Sequence, residues 1–305
     1  MKCLVIGGSG HVSGAVSRAA VVQGHEVWVV TRGQRPLPEG VVGLQADRHD
    51  ARALRAVVSK EGIAWDVVLD CIGYEPEDIA QDIEVFSATA KHLIFVSTDF
   101  VYDPPRRRFP QPEDGAALPV EGDHILRYGQ HKRRCELRLM DTDTGDMQWT
   151  IVRPCHVYGP TSQLGCLPLH GRDPDLIREL RAGETLRLVG GGHFLQQPIL
   201  ARDLAGAILG MALNERCYGQ ILNLAGPDIV ESRMYYQIVA DILGVGLTVE
   251  EAPVDAYLAE NPDKASHCCH RIYDLSRLRA STASPPATPL EQGLREHVEG
   301  LLAAH

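Results

Sequence analysis

The stretch CLVIGGSGHVSG, residues 3–14, joins an apolar run to a glycine-rich turn and then to a helix-like segment. This order is typical of a βαβ unit that binds a dinucleotide, because glycines let the backbone approach a pyrophosphate. The spacing G-x-x-G-x-x-G would place its third glycine at position 13, which is Ser13, with Gly14 one place later. Serine is small, and the helix N-terminus still offers N–H groups and its positive dipole end. We therefore predict that the loop binds the cofactor phosphates through Gly7, Gly8, Ser9, Gly10, His11 and Val12.

Strand-like and helix-like segments go on alternating as far as residue 154. The apolar runs recur at residues 25–31, 41–47, 65–71, 92–98 and 149–154, with helical patterns between them, one of them from 76 to 90. Near-continuous apolar strands are typical of a parallel sheet that helices cover on both faces. We predict an α/β fold: a doubly wound, Rossmann-like parallel sheet with a smaller C-terminal substrate-binding lobe.

The domain boundaries are predicted from the positions at which the alternation of strand-like and helix-like segments stops and resumes. Many Gly and Pro residues make the pattern irregular after Pro154, and the strand QILNLAG at 220–226 returns to the sheet. We predict a dinucleotide-binding domain at residues 1–155 and 198–226. The substrate-binding lobe then comprises residues 156–197 and 227–305.

Composition limits the partners of the 305-residue chain. Its net charge of −10 opposes a nucleic-acid partner, which normally needs a basic footprint. No apolar run approaches the ~20 residues of a membrane span, and the first apolar run is too short for a signal peptide. The eight cysteines are scattered among core-like segments, as reduced thiols usually are. We expect a soluble cytoplasmic protein with a small-molecule substrate and no membrane partner.

The end of the second strand bears on cofactor choice. An Asp or Glu there selects NAD, whereas an arginine accommodates the additional phosphate of NADP. The chain has Thr31, Arg32 and Gly33 and no carboxylate, which favours NADP(H) over NAD(H), with Arg32 on the 2'-phosphate. An ordinary exposed arginine is the alternative. Strand ends place four more residues along the path of the cofactor: Asp47 near adenine, and Cys71, Ile72 and Gly73.

The pentapeptide YGQHK places Tyr128 and Lys132 on one face of a helix. An ammonium group near a phenol stabilises the phenolate, which would let Tyr128 exchange a proton near neutral pH. Thr98 ends the fifth strand, where ligands of parallel sheets bind, and can hold the substrate oxygen beside Tyr128. We predict that Thr98, Tyr128 and Lys132 are the catalytic residues, with Lys132 also binding the cofactor ribose.

Several other polar residues have two readings each. Asp99 either orients substrate or caps the following loop, and His156 either lines the substrate cavity or is structural. The loop-borne His193 is ambiguous. Three consecutive arginines, 106–108, form either a phosphate-binding loop or a solvated one. The run HCCH at 267–270 predicts no metal site, because four contiguous side chains cannot converge on a tetrahedral ion.

These motifs together resemble the extended short-chain dehydrogenase/reductase family, which includes sugar epimerases, dehydratases and reductases. The resemblance rests on GGSGHVSG, FVSTDFVY, YGQHK, VRPCHVYGP and PILARDLAGAI, and covers most of the chain. It implies that Thr98, Tyr128 and Lys132 are catalytic and that residues 7–12 bind pyrophosphate. The departure at Ser13 is similar to a divergent branch that also contains chloroplast RNA-associated proteins. Family dehydratases carry two acidic residues after the threonine, and Phe100 in the second place argues against dehydration.

The sequence thus predicts an NADP(H)-dependent oxidoreductase that interconverts a ketone and an alcohol on a sugar-like, amino-sugar or cyclitol substrate. One alternative is an NAD-dependent sugar or nucleotide-sugar epimerase. Another is a non-catalytic, cofactor-sensing or RNA-associated protein of the same fold, which the intact Tyr-x-x-x-Lys pair opposes. A homodimer formed through the helix of Tyr128 is also expected.

The substrate prediction depends on what replaces an arginine that grips diphosphate in nucleotide-sugar enzymes of this family. Gln196 and Gln197 occupy that region, with Arg202 nearby. Glutamine lacks the charge of the usual arginine–phosphate contact, so we predict a substrate without diphosphate, with Gln196, Asp99 and His156 lining its site. Local carboxylates, Asp99, Glu113 and Asp114, would favour a neutral or cationic amino sugar.

Overall fold

A seven-stranded sheet forms the centre of the computed structural model, which describes residues 1–60, 62–281 and 284–303. The strands are β1 (Lys2–Ile6), β2 (Glu26–Thr31), β3 (Val41–Gln45), β4 (Trp65–Asp70), β5 (Ala90–Val96), β6 (Gln148–Pro154) and the late-returning β11 (Gln220–Leu224). Their order is β11-β6-β5-β4-β1-β2-β3, and every neighbouring pair is parallel. The strand order reverses between β1 and β4, where such sheets open a ligand crevice at their carboxyl edge. The predicted fold class is confirmed.

Helices cover both faces of this sheet. They are α1 (His11–Val22), α2 (Ala51–Lys60), α3 (Pro76–Phe86), α4 (Arg127–Asp141) and α6 (Ala201–Met211). Because side chains alternate along a strand, Val5 packs on the face of α1 and α6, and its neighbour Leu4 packs on the face of α2, α3 and α4. This burial on both sides explains the continuous apolar strand runs.

The smaller lobe is built from short elements. Its strands are β7 (Val157–Tyr158), β8 (Leu186–Val189), β9 (Leu195–Gln196), β10 (Ile199–Leu200), β12 (Val230–Glu231) and β13 (Val249–Ala252), and its helices are α5 (Leu176–Arg181), α7 (Ser232–Leu243), α8 (Val254–Glu260) and α10 (Leu290–Ala303). A separate apolar cluster holds the lobe together, with Tyr235 of α7 and Leu294 of α10 at its centre. The segment around α9 (Ser276–Ser281) was predicted to belong to the substrate-binding lobe. In the structure, its residues Tyr273, Leu275 and Leu278 pack in the core of the central sheet instead.

The helix predicted at residues 76–90 is shorter in the structure. It ends at Phe86, and Ala90 already pairs with Trp65 as the first residue of β5. The Thr89 carbonyl accepts a hydrogen bond of 2.7 Å from the Trp65 N–H, so sheet pairing overrides the helix propensity of alanine. No helix among the described ranges combines the length and the hydropathy that a membrane span needs. All eight cysteines are free thiols.

Candidate active site

The glycine-rich turn between β1 and α1 is shaped by close packing. Gly7 has φ +114°, and a Cβ there would lie 2.9 Å from the Ile72 side chain. Gly8 has φ +40°, and its Cβ would lie 1.9 Å from Cγ1 of Val29. Any side chain at Gly8 would therefore collide with the second strand, while the bare backbone leaves the turn open to a ligand.

Ser13 performs a role that a third glycine could not. Its hydroxyl oxygen accepts a hydrogen bond of 3.0 Å from the Gly10 N–H, and the side chain is buried in the first turn of α1. The serine thus fixes the start of the helix that directs its N–H groups toward the crevice. The departure from the glycine pattern leaves the loop intact.

A cavity of about 880 Å³ runs along the carboxyl edge of the sheet. Most of the predicted site lines it: Gly7, Ser9, Gly10, His11, Val12, Arg32, Asp47, Cys71, Ile72, Thr98, Asp99, Tyr128, Lys132 and His156. Gly8 and Gly73 lie just behind this lining, and Gln196 lies elsewhere. Basic side chains outnumber acidic ones in this lining: Asp47 and Asp99 are acidic, whereas Arg32, Arg35, Arg48, Lys132, Arg172 and Arg271 are basic, and of these Arg48 is paired with carboxylates behind the wall.

One end of the cavity carries two exposed arginines, Arg32 and Arg35, in the turn after β2. The Gln45 side chain donates a hydrogen bond of 3.2 Å to the Arg32 carbonyl and packs under Gly33, which has φ +76°. The turn is thereby held with both guanidinium groups at the cavity wall. No acidic residue stands in residues 31–35.

Sequence reasoning missed the buried Arg48, which contacts three carboxylates. Its guanidinium lies 2.8 Å from Asp70, 3.3 Å from Asp78 and 3.0 Å from Asp82. Burial opposes the charge of Asp70, but Arg48 still keeps its pKa below the ordinary value, whereas burial and the Asp70 charge raise the pKa of Asp82. Asp70 lies on β4, and Asp78 and Asp82 lie on α3, so these ion pairs with Arg48 form only when the two elements pack together. The sequence alone shows three separate aspartates and does not indicate that they share one arginine.

Asp70 also shapes the turn that follows β4. Its carboxylate accepts a hydrogen bond of 2.8 Å from the Ile72 N–H, and a Cβ on Gly73 would lie 2.3 Å from Oδ2. Gly73 therefore lets the turn fold over the carboxylate. The carbonyl oxygen of Gly73 accepts a hydrogen bond of 2.7 Å from Nζ of Lys132, which joins the turn after β4 to α4.

Lys132 is almost fully buried, at 1% exposure. Its Nζ donates to the carbonyls of Gly73 and Val96, each at 2.7 Å, which leaves one of three N–H donors for a ligand. Burial lowers the pKa of this ammonium. The side chain is held in place by the ends of β4 and β5.

Tyr128 stands one turn before Lys132 on α4, is 48% exposed, and lines the cavity together with Thr98. Burial, with the adjacent Tyr74 phenol, raises the pKa of Tyr128 to about 12. Lys132 is not among the causes of this shift, because two backbone carbonyls hold its ammonium. That Lys132 lowers the pKa of Tyr128 when a ribose is bound stays a prediction. With this pKa the Tyr128 phenol is protonated at neutral pH.

Asp99 neither caps the following loop nor presents a free carboxylate to the cavity. Arg271 donates to both of its oxygens at 2.8 Å, and Arg107 and the Tyr273 hydroxyl complete a buried cluster. Burial opposes its charge, but the two guanidinium groups hold the pKa of Asp99 below its usual value. Asp99 therefore positions Arg271, which sequence reasoning missed although it directly follows HCCH.

The consecutive arginines at 106–108 do not form a single loop surface. Arg106 pairs with Asp103, Arg107 turns inward to Asp99, and Arg108 lies 3.5 Å from Asp114. The segment as a whole is therefore neither a phosphate-binding loop nor a solvated one, because Arg107, its middle arginine, is buried and pairs with Asp99.

His156 follows β6 and lines the cavity, and its Nε2 is buried without a hydrogen-bond partner among the described residues. Burial, with the charges of Arg271 and Arg172, lowers its pKa to about 3. The ring is thus neutral and can exchange a hydrogen bond with a ligand.

The residues expected to replace the diphosphate-gripping arginine lie away from the cavity. Gln196 is buried in β9 beside β12, so its predicted substrate role has no basis in the structure. The Gln197 side chain accepts from the Tyr273 N–H, and Arg202 pairs with Glu296. None of these three side chains lines the cavity.

Two groups of side chains are of types that bind metal ions: the run at 267–270 and a cluster around His170. In the run at 267–270, His270 accepts from the Leu195 N–H while His267 packs 4.9 Å from the Phe100 ring centroid, so the side chains diverge. Among the described residues, His170, Asp173 and Glu179 come together. Both ring nitrogens of His170 are already used, by Asp173 and by the Arg187 carbonyl. His193 pairs with Glu231 at the surface.

A parallel sheet with a glycine-rich first turn and a Tyr-x-x-x-Lys pair beside its crevice defines a short-chain dehydrogenase/reductase. The family model for the NAD dependent epimerase/dehydratase family matches residues 3–225, and the chain belongs to that family. The predicted resemblance is confirmed.

Three curated proteins are similar in sequence. Chloroplast stem-loop binding protein of 41 kDa b from Arabidopsis thaliana is 27% identical over 75% of this chain, which spans only 60% of that protein. 2'-Dehydrokanamycin reductase from Streptomyces kanamyceticus is 26% identical over 91% of the chain and 78% of its own length. 2-Alkyl-3-oxoalkanoate reductase from Stenotrophomonas maltophilia is 26% identical over 94% of the chain and 87% of its own length.

Solved structures share the fold. UDP-glucose 4-epimerase from Thermotoga maritima superposes with a TM-score of 0.80 at 19% identity, covering 100% of this chain and 99% of that one. A short-chain dehydrogenase/reductase superfamily protein from Agrobacterium tumefaciens, solved with bound NAD, gives 0.77 at 19% identity and covers 100% and 98%.

Proposed function

We propose that this protein is an NADP(H)-dependent oxidoreductase that interconverts a ketone and an alcohol. The main support for the proposal is that Tyr128 and Lys132, one helical turn apart on α4, line the same cavity as Thr98 and the glycine-rich turn. Two relatives that match most of the chain carry the names of reductases, which supports carbonyl reduction.

The residues present fit a nicotinamide dinucleotide. Gly7 and Gly8 leave a turn that any side chain would fill, and the third Nζ donor of Lys132 suits a ribose hydroxyl. Arg32 and Arg35 suit the 2'-phosphate of NADP(H), since a guanidinium binds phosphate in bidentate fashion. When bound in reduced form, the cofactor supplies the hydride.

The proton comes from the chain itself. Tyr128 donates its hydroxyl proton to the carbonyl oxygen as the carbonyl carbon is reduced, and the Thr98 hydroxyl hydrogen-bonds the same oxygen. A positioned acid of this kind contributes about 10²–10⁴-fold to the rate. In the reverse direction the Tyr128 phenolate accepts the proton of the alcohol.

The sugar-like or cyclitol substrate predicted from the sequence is retained as part of this proposal. A cationic substrate is not, because the carboxylates invoked for it are engaged elsewhere. Asp99 binds Arg271, Glu113 accepts from the Asn223 N–H, and Asp114 lies beside Arg108 at the surface.

The proposal is tested by incubating the purified protein with NADPH or NADH and a panel of ketones, and following the loss of reduced nicotinamide absorbance. We expect turnover with NADPH that Tyr128→Phe abolishes. An epimerase would instead purify with bound oxidised cofactor and consume no NADPH. A non-catalytic protein would keep its biological activity in Tyr128→Phe.

A further inference from the structure

A buried ion cluster, formed by Asp99, Arg107, Arg271 and Tyr273, stands at one end of the cavity. Arg271 is 2% exposed and donates twice to Asp99 at 2.8 Å, while Arg107 reaches the same carboxylate at 3.4 Å. The Tyr273 hydroxyl donates to it as well. Of these residues, Arg271 and Asp99 line the cavity.

The charges of this cluster do not balance. Two guanidinium groups share one carboxylate, and Tyr273 is neutral because burial raises its pKa. Among the described residues, neither Arg107 nor Arg271 has a second carboxylate in ion-pair contact. One positive charge is therefore buried in excess, which is costly unless an anion compensates it.

Hydrogen-bonding groups at the same end of the cavity also lack partners. Nη1 of Arg271, Nε2 of His156 and Nδ1 of His267 are buried and unpartnered among the described residues, and all three side chains line the cavity. Buried polar atoms are normally hydrogen-bonded, so three such nitrogens around one space indicate a ligand with several acceptor oxygens. Burial lowers the pKa of His267 to about 4, so its ring is neutral.

The cluster adjoins the proton donor. The Phe100 ring packs edge-to-face on Tyr128, with centroids 6.0 Å apart, and its other contacts are the Arg271 guanidinium at 4.9 Å and the His267 ring at 4.9 Å. The Phe100 ring thus contacts Tyr128 and also two of the three residues with unpartnered nitrogens, Arg271 and His267. The cluster is also separate from the glycine-rich turn. That turn follows β1, whereas Asp99 and His156 follow β5 and β6, which are neighbours in the sheet and are separated from β1 by β4.

We infer that Arg271, His156 and His267 form a subsite for a carboxylate of the substrate, located a few bonds from the carbonyl that Tyr128 protonates. This inference rests on the proposed function and specifies its substrate class. A carboxylate supplies the missing negative charge and up to four acceptor positions for the three nitrogens. Asp99 and Arg107 hold the Arg271 guanidinium in place and do not touch the substrate.

The test compares acids with their methyl esters, which lack the negative charge of the carboxylate and carry one additional methyl group. Protein saturated with NADPH is titrated calorimetrically with open-chain 2-, 3- and 4-oxo acids and with their methyl esters. Protein saturated with NADP⁺ is titrated with glucuronate and galacturonate and with their methyl esters. We expect at least one acid to bind at least about tenfold more tightly than its ester. The two arms distinguish an open-chain acid from a sugar acid.

Variants locate the effect. Arg271→Met should weaken acid binding at least about tenfold and leave ester binding within about twofold, so the preference disappears. Arg108→Met is the matched control, because Arg108 is an exposed arginine of the Arg107 segment that faces Asp114. It should keep the wild-type preference.

If no acid binds more tightly than its ester in wild type, the subsite is wrong, and this outcome does not need any variant to fold. An acid preference that persists in a folded Arg271→Met protein also overturns it. If the protein consumes NADPH with ketones but binds no acid more tightly than its ester, the carboxylate subsite is refuted and the proposed function stands. A failure of every carbonyl compound to consume NADPH refutes the proposed function, while the acid and ester affinities still decide the subsite.

Discussion

Asp99 binds Arg271 through two hydrogen bonds of 2.8 Å although 172 positions separate them in the chain. Thr98, the neighbour of Asp99, makes no such ion pair and lines the same cavity as Tyr128. Two consecutive residues that follow β5 thus serve two different parts of the cavity: Thr98 faces the part with the proposed proton donor, and Asp99 holds a guanidinium group. This division underlies both the proposed function and the carboxylate subsite.

Replacing Tyr128 by phenylalanine removes the proton donor and little else, since the ring contact with Phe100 remains. We expect kcat to fall by about two orders of magnitude or more while NADPH affinity stays near that of wild type. Turnover measured beside Tyr257→Phe, a tyrosine on α8 outside the cavity lining, controls for the loss of a hydroxyl. Equal turnover in Tyr128→Phe would remove the tyrosine from the mechanism.

Replacing Arg32 by alanine tests the choice of cofactor. We expect NADPH binding to weaken by about tenfold or more and NADH binding to change little, because only NADPH carries the phosphate that the guanidinium contacts. Titration by fluorescence measures both affinities, with Arg295→Ala on α10 as an exposed control. Tighter NADH than NADPH binding in wild type, or an unchanged preference in the variant, would contradict the role of Arg32.

Replacing Ser13 by alanine removes the hydroxyl that accepts from the Gly10 N–H. We expect the free energy of unfolding to fall by about 1 kcal/mol, the usual cost of a lost helix cap, and cofactor affinity to fall with it. Denaturant unfolding measures the first and titration the second. Ser59→Ala, near the exposed end of α2, is the control, and identical results for both variants would show that Ser13 merely fills space.

Stability should depend on pH through His92, which is fully buried. Its Nδ1 accepts from the Leu213 N–H at 3.2 Å, so the ring must be neutral, and burial lowers its pKa from 6.5 to about 4. The unfolded chain takes up this proton first as the pH falls. The stabilisation is therefore complete above pH 6.5 and is lost between 6.5 and about 4, at a cost of about 3 kcal/mol.

The check is the free energy of unfolding across that pH range in wild type and His92→Gln. Glutamine can donate and accept but does not titrate, so the loss on acidification should be smaller in this variant. His193→Gln, whose histidine pairs with Glu231 at the surface, should behave as wild type. An equal loss in His92→Gln and wild type would mean that His92 is already solvated or charged in the folded protein.

The sequence predicted the local parts of this molecule well. The period of the apolar runs indicated the sheet, and the short spacing within YGQHK placed Tyr128 and Lys132 on one helical face because such patterns depend on local geometry. Arg48 and Arg271 were missed for the opposite reason. Their partners come from other elements, and an arginine in the sequence looks the same whether it is solvated or paired in the core. Gln196 was misplaced because a position in a motif does not reveal which way a short strand turns its side chain.

The most direct test of the central claim follows the hydride. The protein is incubated with NADPH deuterated at the transferred position and with the ketone or oxo acid that it turns over best, and the product is examined by mass spectrometry. We expect an alcohol with one deuterium on its carbinol carbon and the loss of one NADPH for each product molecule. An isomerised product without deuterium, formed with no net consumption of NADPH and with NAD retained by the protein, would contradict this expectation.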